Sequence, residues 1–281
     1  WSTTTEFVLA LTGTPVENRL ADLWSIMNLT QPGLLGSLKD FSSKWESEEA
    51  DLTGLRGILT SGASPPMLRR LKEDHLEGLP SRRFVYARAK MSPEQTRAYD
   101  EAIQEAREAE GGGTATLEAL GRIRSVSLHP HARGNETLPD YVRRSARLRL
   151  TVKWLQEIQA KGEKALVFAE SRTMQATLLE ISTELLGLPN KPLLINGAVA
   201  GPMRQERVDD FQNRENGFDV MILSPKAGGV GLTLTAANHV IHLSRWWNPA
   251  VEDQCTDRVY RIGQGRAVMV YHPLAEHPIH G

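Results

Sequence analysis

Over the C-terminal half of the chain, short apolar runs of β-forming residues alternate with longer amphipathic stretches. The runs are Ala165–Ala169, Pro192–Asn196, Asp219–Ser224, His239–Ser244 and Ala267–His272. Between them, Arg172–Leu186, Met203–Gln212 and Ala250–Tyr260 have the length and apolar spacing of helices lying on a sheet. This alternation predicts a parallel sheet with crossover helices, so residues 146–281 read as a doubly wound α/β domain.

The N-terminal part is patterned differently. Residues 1–90 offer one strand candidate, Phe7–Leu11, a turn at Gly13–Pro15, an amphipathic helix over Asn18–Leu29, and shorter segments broken by glycine and proline. They do not make a domain alone. From Ser92 the signals turn helical: Ser92 suits an N-cap, Pro93 the first helical position, and Gln95 the far side of a capping box. The helix should run to about Glu110 and end at Gly111–Gly113. A second helix is expected over Thr114–Ser127, and His129–Asp140 reads as an exposed connection. Residues 91–145 are therefore expected to form a helical bridge or insertion.

The chain has 281 residues, 40% of them hydrophobic, enough to bury a sizeable core in one domain or two. No apolar run approaches the roughly 18 to 20 residues that cross a bilayer, and no basic segment followed by an apolar signal core opens the chain. Neither export nor a membrane partner is expected. Cys255 stands alone and cannot form an internal disulfide. That suits a reducing compartment: the cytoplasm and its nucleoid, or the nucleus if the source is a eukaryote. A formal net charge of -1 exerts no global pull on nucleic acid, so phosphate binding would have to come from local clusters such as Arg143–Arg149. The chain opens at Trp1 almost directly into an apolar segment, and we expect it to be part of something longer.

The stretch with the most chemical content is Ser224–Gln264. Gly228, Gly229 and Gly231 follow an apolar run, where they permit positive φ and let a phosphate or another backbone approach main-chain amides. A plain tight turn would look the same. Gln254, Arg258 and Arg261 fall at i, i+4 and i+7, so on a continuous helix they would project from one face. Arginine suits a phosphate-facing stripe, because its guanidinium stays charged and its fork of donors matches phosphoryl oxygens as charge builds on them. From spacing alone, a solvated face salt-bridged through Glu252, Asp253 and Asp257 is the simpler reading.

Taken whole, SPKAGGVGLTLTAA, WWNP and DQCTDRVYRIGQ closely resemble motifs V and VI of the Swi/Snf-type, superfamily-two, DNA-translocating ATPases. Other segments resemble that family in the family's own order. LTGTPVEN at Leu11–Asn18 is similar to motif III at the end of the first RecA-like lobe, and Pro65–Pro80 to the segment returning to that lobe. Lys164–Ser171 is similar to motif IV, and Ile195–Gln212 to the block after it.

The resemblance implies a second RecA-like (helicase C-terminal) lobe over 146–281, a helical insertion, and a remnant of the first RecA-like lobe with a helical protrusion over 1–90. It implies that Arg258 and Arg261 are arginine fingers for an ATP, with Mg2+, held mainly by the first lobe. Gln254 would support that interface, with Gly229 and Gly231 beside the nucleotide. Ser224, Lys226, Ala227 and Gly228 would lie against the backbone of double-stranded DNA. Trp246 and Trp247 would couple that surface to the nucleotide cleft, although Trp247 also suits a core aromatic. Thr12, Gly13 and Thr14 would link hydrolysis to lobe movement. The partners implied are double-stranded DNA, the first lobe of the same polypeptide, and further protein subunits. Thr233 stands where asparagine is usual, Tyr260 where histidine is, and Pro225 where threonine is common; none of these removes a charged group.

No GxxxxGK[ST] phosphate loop occurs in the sequence, which therefore lacks the backbone cradle and lysine that hold β- and γ-phosphates. Asp100–Ile103 spells a DExx box and Glu73–His75 resembles one, but neither caps a buried apolar strand, and both read as surface charge. The eight histidines form no metal-ligand pattern with the cysteine, so the only metal expected is magnesium brought by ATP. The leading expectation is half of a DNA-dependent ATPase site, inactive without the rest. An RNA helicase lobe, which WWNP and RIGQ oppose, and a non-hydrolysing DNA-binding scaffold are the alternatives.

Overall fold

The computed structural model describes residues 7–16, 19–47, 49–70, 78–108, 113–215, 217–228, 231–246 and 248–278, in two compact units, 1–77 and 78–281. In the first unit, α1 (Leu20–Thr30), α2 (Leu38–Trp45) and α3 (Leu52–Thr60) pack Leu23, Met27, Phe41, Trp45, Leu55 and Leu59 into a small core. Local capping starts two of these helices: Ser37 Oγ accepts from Asp40 N at 3.2 Å, and the Asp51 carboxylate accepts from Thr53 N at 2.9 Å. The expected strand at Phe7–Leu11 is not one. Its residues have no regular structure, and Phe7, Leu9 and Leu11 are 76%, 67% and 87% exposed. An apolar run becomes a strand only where a neighbour completes its ladder, and no strand exists among the described residues of this unit.

β1 (Arg82–Lys90) opens the second unit, followed by α4 (Pro93–Glu108), α5 (Gly113–Leu128), α6 (Leu138–Arg144) and α7 (Ala146–Ala160). The α/β alternation then runs β2 (Lys164–Phe168), α8 (Arg172–Glu180) with a π-helical turn over Ile181–Leu185, β3 (Leu193–Ile195), α9 (Gly201–Asn213) and β4 (Asp219–Leu223). The single turn α10 (Pro225–Gly228), β5 (His239–His242), α11 (Pro249–Thr256) and β6 (Val268–Glu276) complete it. The strands are all parallel, in the order β1-β6-β5-β2-β4-β3.

Every residue of β2, β4 and β5 is buried, because apolar clusters cover both sheet faces. Alternate positions divide between the two. Ala165, Val167, Val220, Ile222 and Ile241 join Trp154, Leu155 and Leu178, whereas Leu166, Phe168, Met221, Leu223 and Val240 join Phe211, Cys255 and Val259. From β2 the chain steps out to β3, returns through β4, and crosses β2 to reach β5 and β6. The loops after β4 and β5 thus leave the same end of the sheet on either side of β2, at a switch point of the kind where α/β sheets bind ligands. Main-chain bonds fix that end: Ala169 N to Leu223 O at 3.0 Å, Leu243 N to Phe168 O at 3.1 Å, and Ser224 N to Ile195 O at 2.9 Å.

Several expectations change. β1, placed by its sequence in residues 1–90, pairs with β6 from Arg82 opposite Val268 to Lys90 opposite Glu276, and it lies in the compact unit 78–281. α4 to α7 share a compact unit with the sheet, so 91–145 is part of that unit. Ser92 Oγ does accept from Gln95 N at 3.0 Å, but the capping box is only half made. The Gln95 amide turns inward, fully buried, donating to Val126 O and Ser127 O at 3.1 and 3.2 Å and accepting from Ala146 N at 3.0 Å. His129, in the supposedly exposed connection, is buried and stacks on Tyr141 with centroids 3.6 Å apart.

The Arg143–Arg149 cluster is tied into local contacts, with the Arg143 side chain still 74% exposed. Arg144 pairs with Glu94 at 3.1 Å, Arg143 with Asp140 at 2.8 Å, and Arg149 donates to the carbonyls of Arg143 and Lys90. Asp100–Ile103 lies within α4, with Asp100 Oδ1 3.0 Å from His277 Nε2, and Glu73–His75 lies outside the described residues.

Candidate functional site

β4 delivers Ser224 to the C-terminal end of the sheet, where its hydroxyl accepts from Ala227 N at 3.2 Å and starts α10. Ala227 is buried, Lys226 beside it is exposed, Gly228 closes the turn, and Gly231 takes a φ of +47° that side chains disfavour. Gly229 lies outside the described residues. α11 supports this turn through Cys255, whose Sγ donates to Pro225 O at 3.6 Å, a contact that needs only a main-chain carbonyl at position 225. Burial lifts the Cys255 thiol to about 12, which makes it a packing group and not a nucleophile.

α11 is capped by Asn248, whose side chain accepts from Ala250 N at 2.9 Å, and it ends at Thr256. It therefore stops short of the arginines, and Gln254, Arg258 and Arg261 do not form one helical face as their spacing suggested. Gln254 lies on α11, while Arg258 and Arg261 follow in turns closed by Arg258 N to Cys255 O at 3.2 Å, Val259 N to Thr256 O at 3.0 Å and Gln264 N to Arg261 O at 3.0 Å. The physical reason is a competing partner. Leu234 N takes the Arg258 carbonyl at 2.9 Å, and burial of Val259 and Tyr260 turns the chain into the core.

The arginine turn is stapled to the loop that follows the glycines. Besides Leu234 N, Thr233 Oγ1 accepts from Arg261 Nη1 at 3.0 Å, so the unusual threonine has a use here. Gln264 Nε2 donates to Thr235 O at 3.1 Å and to Ala237 O at 2.7 Å. On α9, Gln212 holds the same loop, accepting from Ala236 N at 2.8 Å and donating to Thr235 Oγ1 at 3.2 Å. Gln212 and Gln264 had no role in the sequence reading. Only the fold shows which loop carbonyls need a donor. Burial lowers the Arg258 pKa, and the neighbouring charge of Arg261 lowers it further. A half-buried guanidinium disfavoured by the charge of an exposed one beside it is complementary to an anion such as a polyphosphate.

The loop after β5 carries Trp246, half-buried, whose N–H donates to Glu252 Oε1 at 2.8 Å; Arg245 Nε donates to the same oxygen at 2.9 Å. Glu252 is accordingly a buried organising carboxylate, not the solvated helix-face charge that its position suggested. Trp247 lies outside the described residues. Behind this loop, His242 Nε2 lies 3.0 Å from Thr256 Oγ1, at the end of α11. Thr12, Gly13 and Thr14 belong to the first unit, where Thr14 N donates to Thr12 Oγ1 at 3.0 Å. Among the described residues, no group of three or more His, Cys, Asp or Glu could hold a metal ion, and no helix is long and apolar enough to cross a membrane.

Residues 3–132 match the family model of the SNF2-related domain, and residues 148–263 that of the helicase conserved C-terminal domain. The chain is 36% identical to Zorya protein ZorD of Escherichia coli, over 96% of this chain and 26% of that protein. It is also 36% identical to the putative ATP-dependent helicase/translocase YwqA of Bacillus subtilis, over 94% of this chain and 29% of that protein. The chain thus spans about a quarter of the length of these curated relatives. Among solved structures, the Sulfolobus solfataricus SWI2/SNF2 ATPase core domain is similar with a TM-score of 0.58 and 32% identity, covering 92% of this chain and 54% of that one. The same core in complex with dsDNA has a TM-score of 0.56 and 30% identity, covering 95% and 56%.

Proposed function

The chain belongs to the Swi/Snf (SNF2-related) ATPase family and carries its RecA-like helicase C-terminal fold; from that premise we propose that it is the C-terminal motor lobe of an ATP-dependent translocase on double-stranded DNA. Residues 1–77 would then be the tail of a first RecA-like lobe. The observation that carries the reading is the arginine turn. Arg258, partly buried beside Arg261, is hydrogen-bonded through its own carbonyl to the loop leaving the glycine turn, which supports the reading that a group proposed to face the nucleotide and a turn proposed to face DNA are joined by direct hydrogen bonds.

ATP, bound with Mg2+ on the first lobe, supplies the phosphoryl group on which negative charge builds. Arg258 and Arg261 stabilise that charge, Gln254 supports the interface from α11, and Gly229 and Gly231 leave room beside it. Ser224 and the exposed Lys226 lie against the DNA backbone, with Gly228 closing the turn and the buried Ala227 holding it from beneath. Trp246 and Trp247 couple the two surfaces, and Thr12, Gly13 and Thr14 pass hydrolysis on to lobe movement. The motor acts in the cytoplasm on nucleoid DNA, or in a nucleus, alone or with further subunits, and moves along the duplex without separating its strands.

In the full-length protein, Arg258→Ala and Arg261→Ala should each lower kcat for DNA-stimulated ATP hydrolysis by about a thousandfold, the scale of an arginine finger, with little change in ATP affinity. Variants that hydrolyse ATP at the wild-type rate would overturn the motor and leave a DNA-binding scaffold. The 281-residue chain alone, having no GxxxxGK[ST] loop, should release no phosphate from ATP. Duplex DNA should stimulate the full-length enzyme more than RNA does; the reverse order would favour an RNA helicase.

A further inference from the structure

Arg124 lies on α5, in the helical segment between β1 and β2, yet its guanidinium reaches the loops leaving two central strands. It pairs with Glu170, just past β2, at 2.8 Å. It lies 5.5 Å from the centroid of the Trp246 ring, past β5, and its Nη2 donates to the Arg245 carbonyl. From the other side the same two residues are held by Glu252 of α11, through Trp246 N at 2.8 Å and Arg245 Nε at 2.9 Å. α11 leads straight into the turn that carries Arg258. A continuous set of contacts therefore runs from the helical segment, through the Trp246 loop, to the arginine turn. Arg147, in the first turn of α7, adds a third cation to this neighbourhood; burial and the charges of Arg245 and Arg124 bring it down to about 10.

We propose that Arg124 is a positioning residue that straps the Trp246 loop to the helical segment, so that this segment sets how strongly DNA accelerates ATP hydrolysis. The proposal rests on the motor reading above. It requires arginine and not merely a cation, because one planar group must pair with a carboxylate, donate to a carbonyl and lie against an indole ring at once. A lysine ammonium keeps the charge and loses the fork.

The test uses full-length protein and compares ATP turnover at saturating duplex DNA with turnover without DNA, alongside thermal unfolding. Arg124→Ala and Arg124→Lys should each lower that stimulation ratio by about tenfold, a usual size for coupling between two sites. Glu170→Gln, which keeps the shape and removes one charge, should lower it less. Arg122→Ala should leave it unchanged, since Arg122 sits on the same helix but pairs with Glu105 at 3.0 Å on the surface. Combined with Trp246→Ala, Arg124→Ala should add no further loss. A wild-type ratio in Arg124→Ala overturns the strap; so does a fall in both rates together with a lower unfolding temperature, or losses that multiply in the double variant. If Arg124→Ala fails to fold, Arg124→Lys and Glu170→Gln decide by the same ratio. Arg258→Ala separates the two ideas: undiminished hydrolysis there sinks the motor itself, whereas its loss there with full stimulation in Arg124→Ala sinks the strap alone.

Discussion

Burial decides the charge state of the histidines along β5 and β6. His242 is stacked between Phe168 and His272, with centroids 5.4 and 5.2 Å away, and burial pushes it down to about 3, helped by His272 once that ring is protonated and by the charge of Arg245. His272 is pushed down to about 4 by burial and by Arg245. An unfolded chain protonates both near pH 6.5, while the folded chain keeps them neutral. As pH falls from about 6.5 towards 4, the unfolded state binds more protons, so folding stability declines by roughly 1 kcal/mol per pH unit for each imidazole. Urea midpoints should therefore be lower at pH 5 than at pH 7, and His242→Phe, which keeps a ring against Phe168, should flatten the difference. An unaltered pH slope in that variant would place the acid sensitivity elsewhere. Nothing in HVIHLS alone announces this stack, because the rings meet only when β5 and β6 lie side by side.

At the scale of elements, β2 to β6 were legible because strands buried on both faces must be apolar at nearly every position. β1 was not. RRFVYARAK puts Arg82, Phe84, Tyr86, Arg88 and Lys90 on one face and only Val85 and Ala87 against the core, as an edge strand does, so it lacks the continuous run that marked the others. The converse error was Phe7–Leu11, apolar without a partner. For the candidate site, the glycines, the arginines and Trp246 could be picked out as motifs, but the end of α11 could not, because the Leu234 amide that takes the Arg258 carbonyl comes from 24 residues upstream. The same blindness covers Gln95, read as a cap yet serving three groups on two other helices. Gln95→Leu strips Val126 O, Ser127 O and Ala146 N of that partner, and should cost about 2 kcal/mol in a chemical denaturation experiment. A loss below about 0.5 kcal/mol, the level of an ordinary surface change, would show that α4 is not tied to α5 and α7 by this amide.

For the whole molecule, the decisive feature is that residues 78–281 contain the complete sheet and every described candidate site residue except Thr12, Gly13 and Thr14. The alternative boundary, at 90/91, would cut β1 away. That cut exposes the main-chain edge of β6 along nine paired positions, removes the bond from Val268 N to Ser81 O, and uncovers the core contacts of Val85 and Ala87. An open edge of that length is a template for pairing with a second chain. A protein trimmed to 78–281 should therefore unfold in one cooperative transition and elute as a monomer, whereas one trimmed to 91–281 should melt lower and broadly, and should self-associate. Light scattering and circular dichroism on the two fragments distinguish these outcomes. Equal melting curves and equal mass would mean that β1 contributes nothing the sheet needs, and the first unit would then have the better claim to it. Because the glycine turn hangs from β4, on the far side of β6 from this edge, local damage at β1 should reach it only through loss of the sheet itself, whereas the arginine turn also loses Arg82, whose guanidinium lies 4.7 Å from the centroid of the Tyr260 ring. A DNA-binding defect in 91–281 without a drop in melting temperature would contradict that order of dependence.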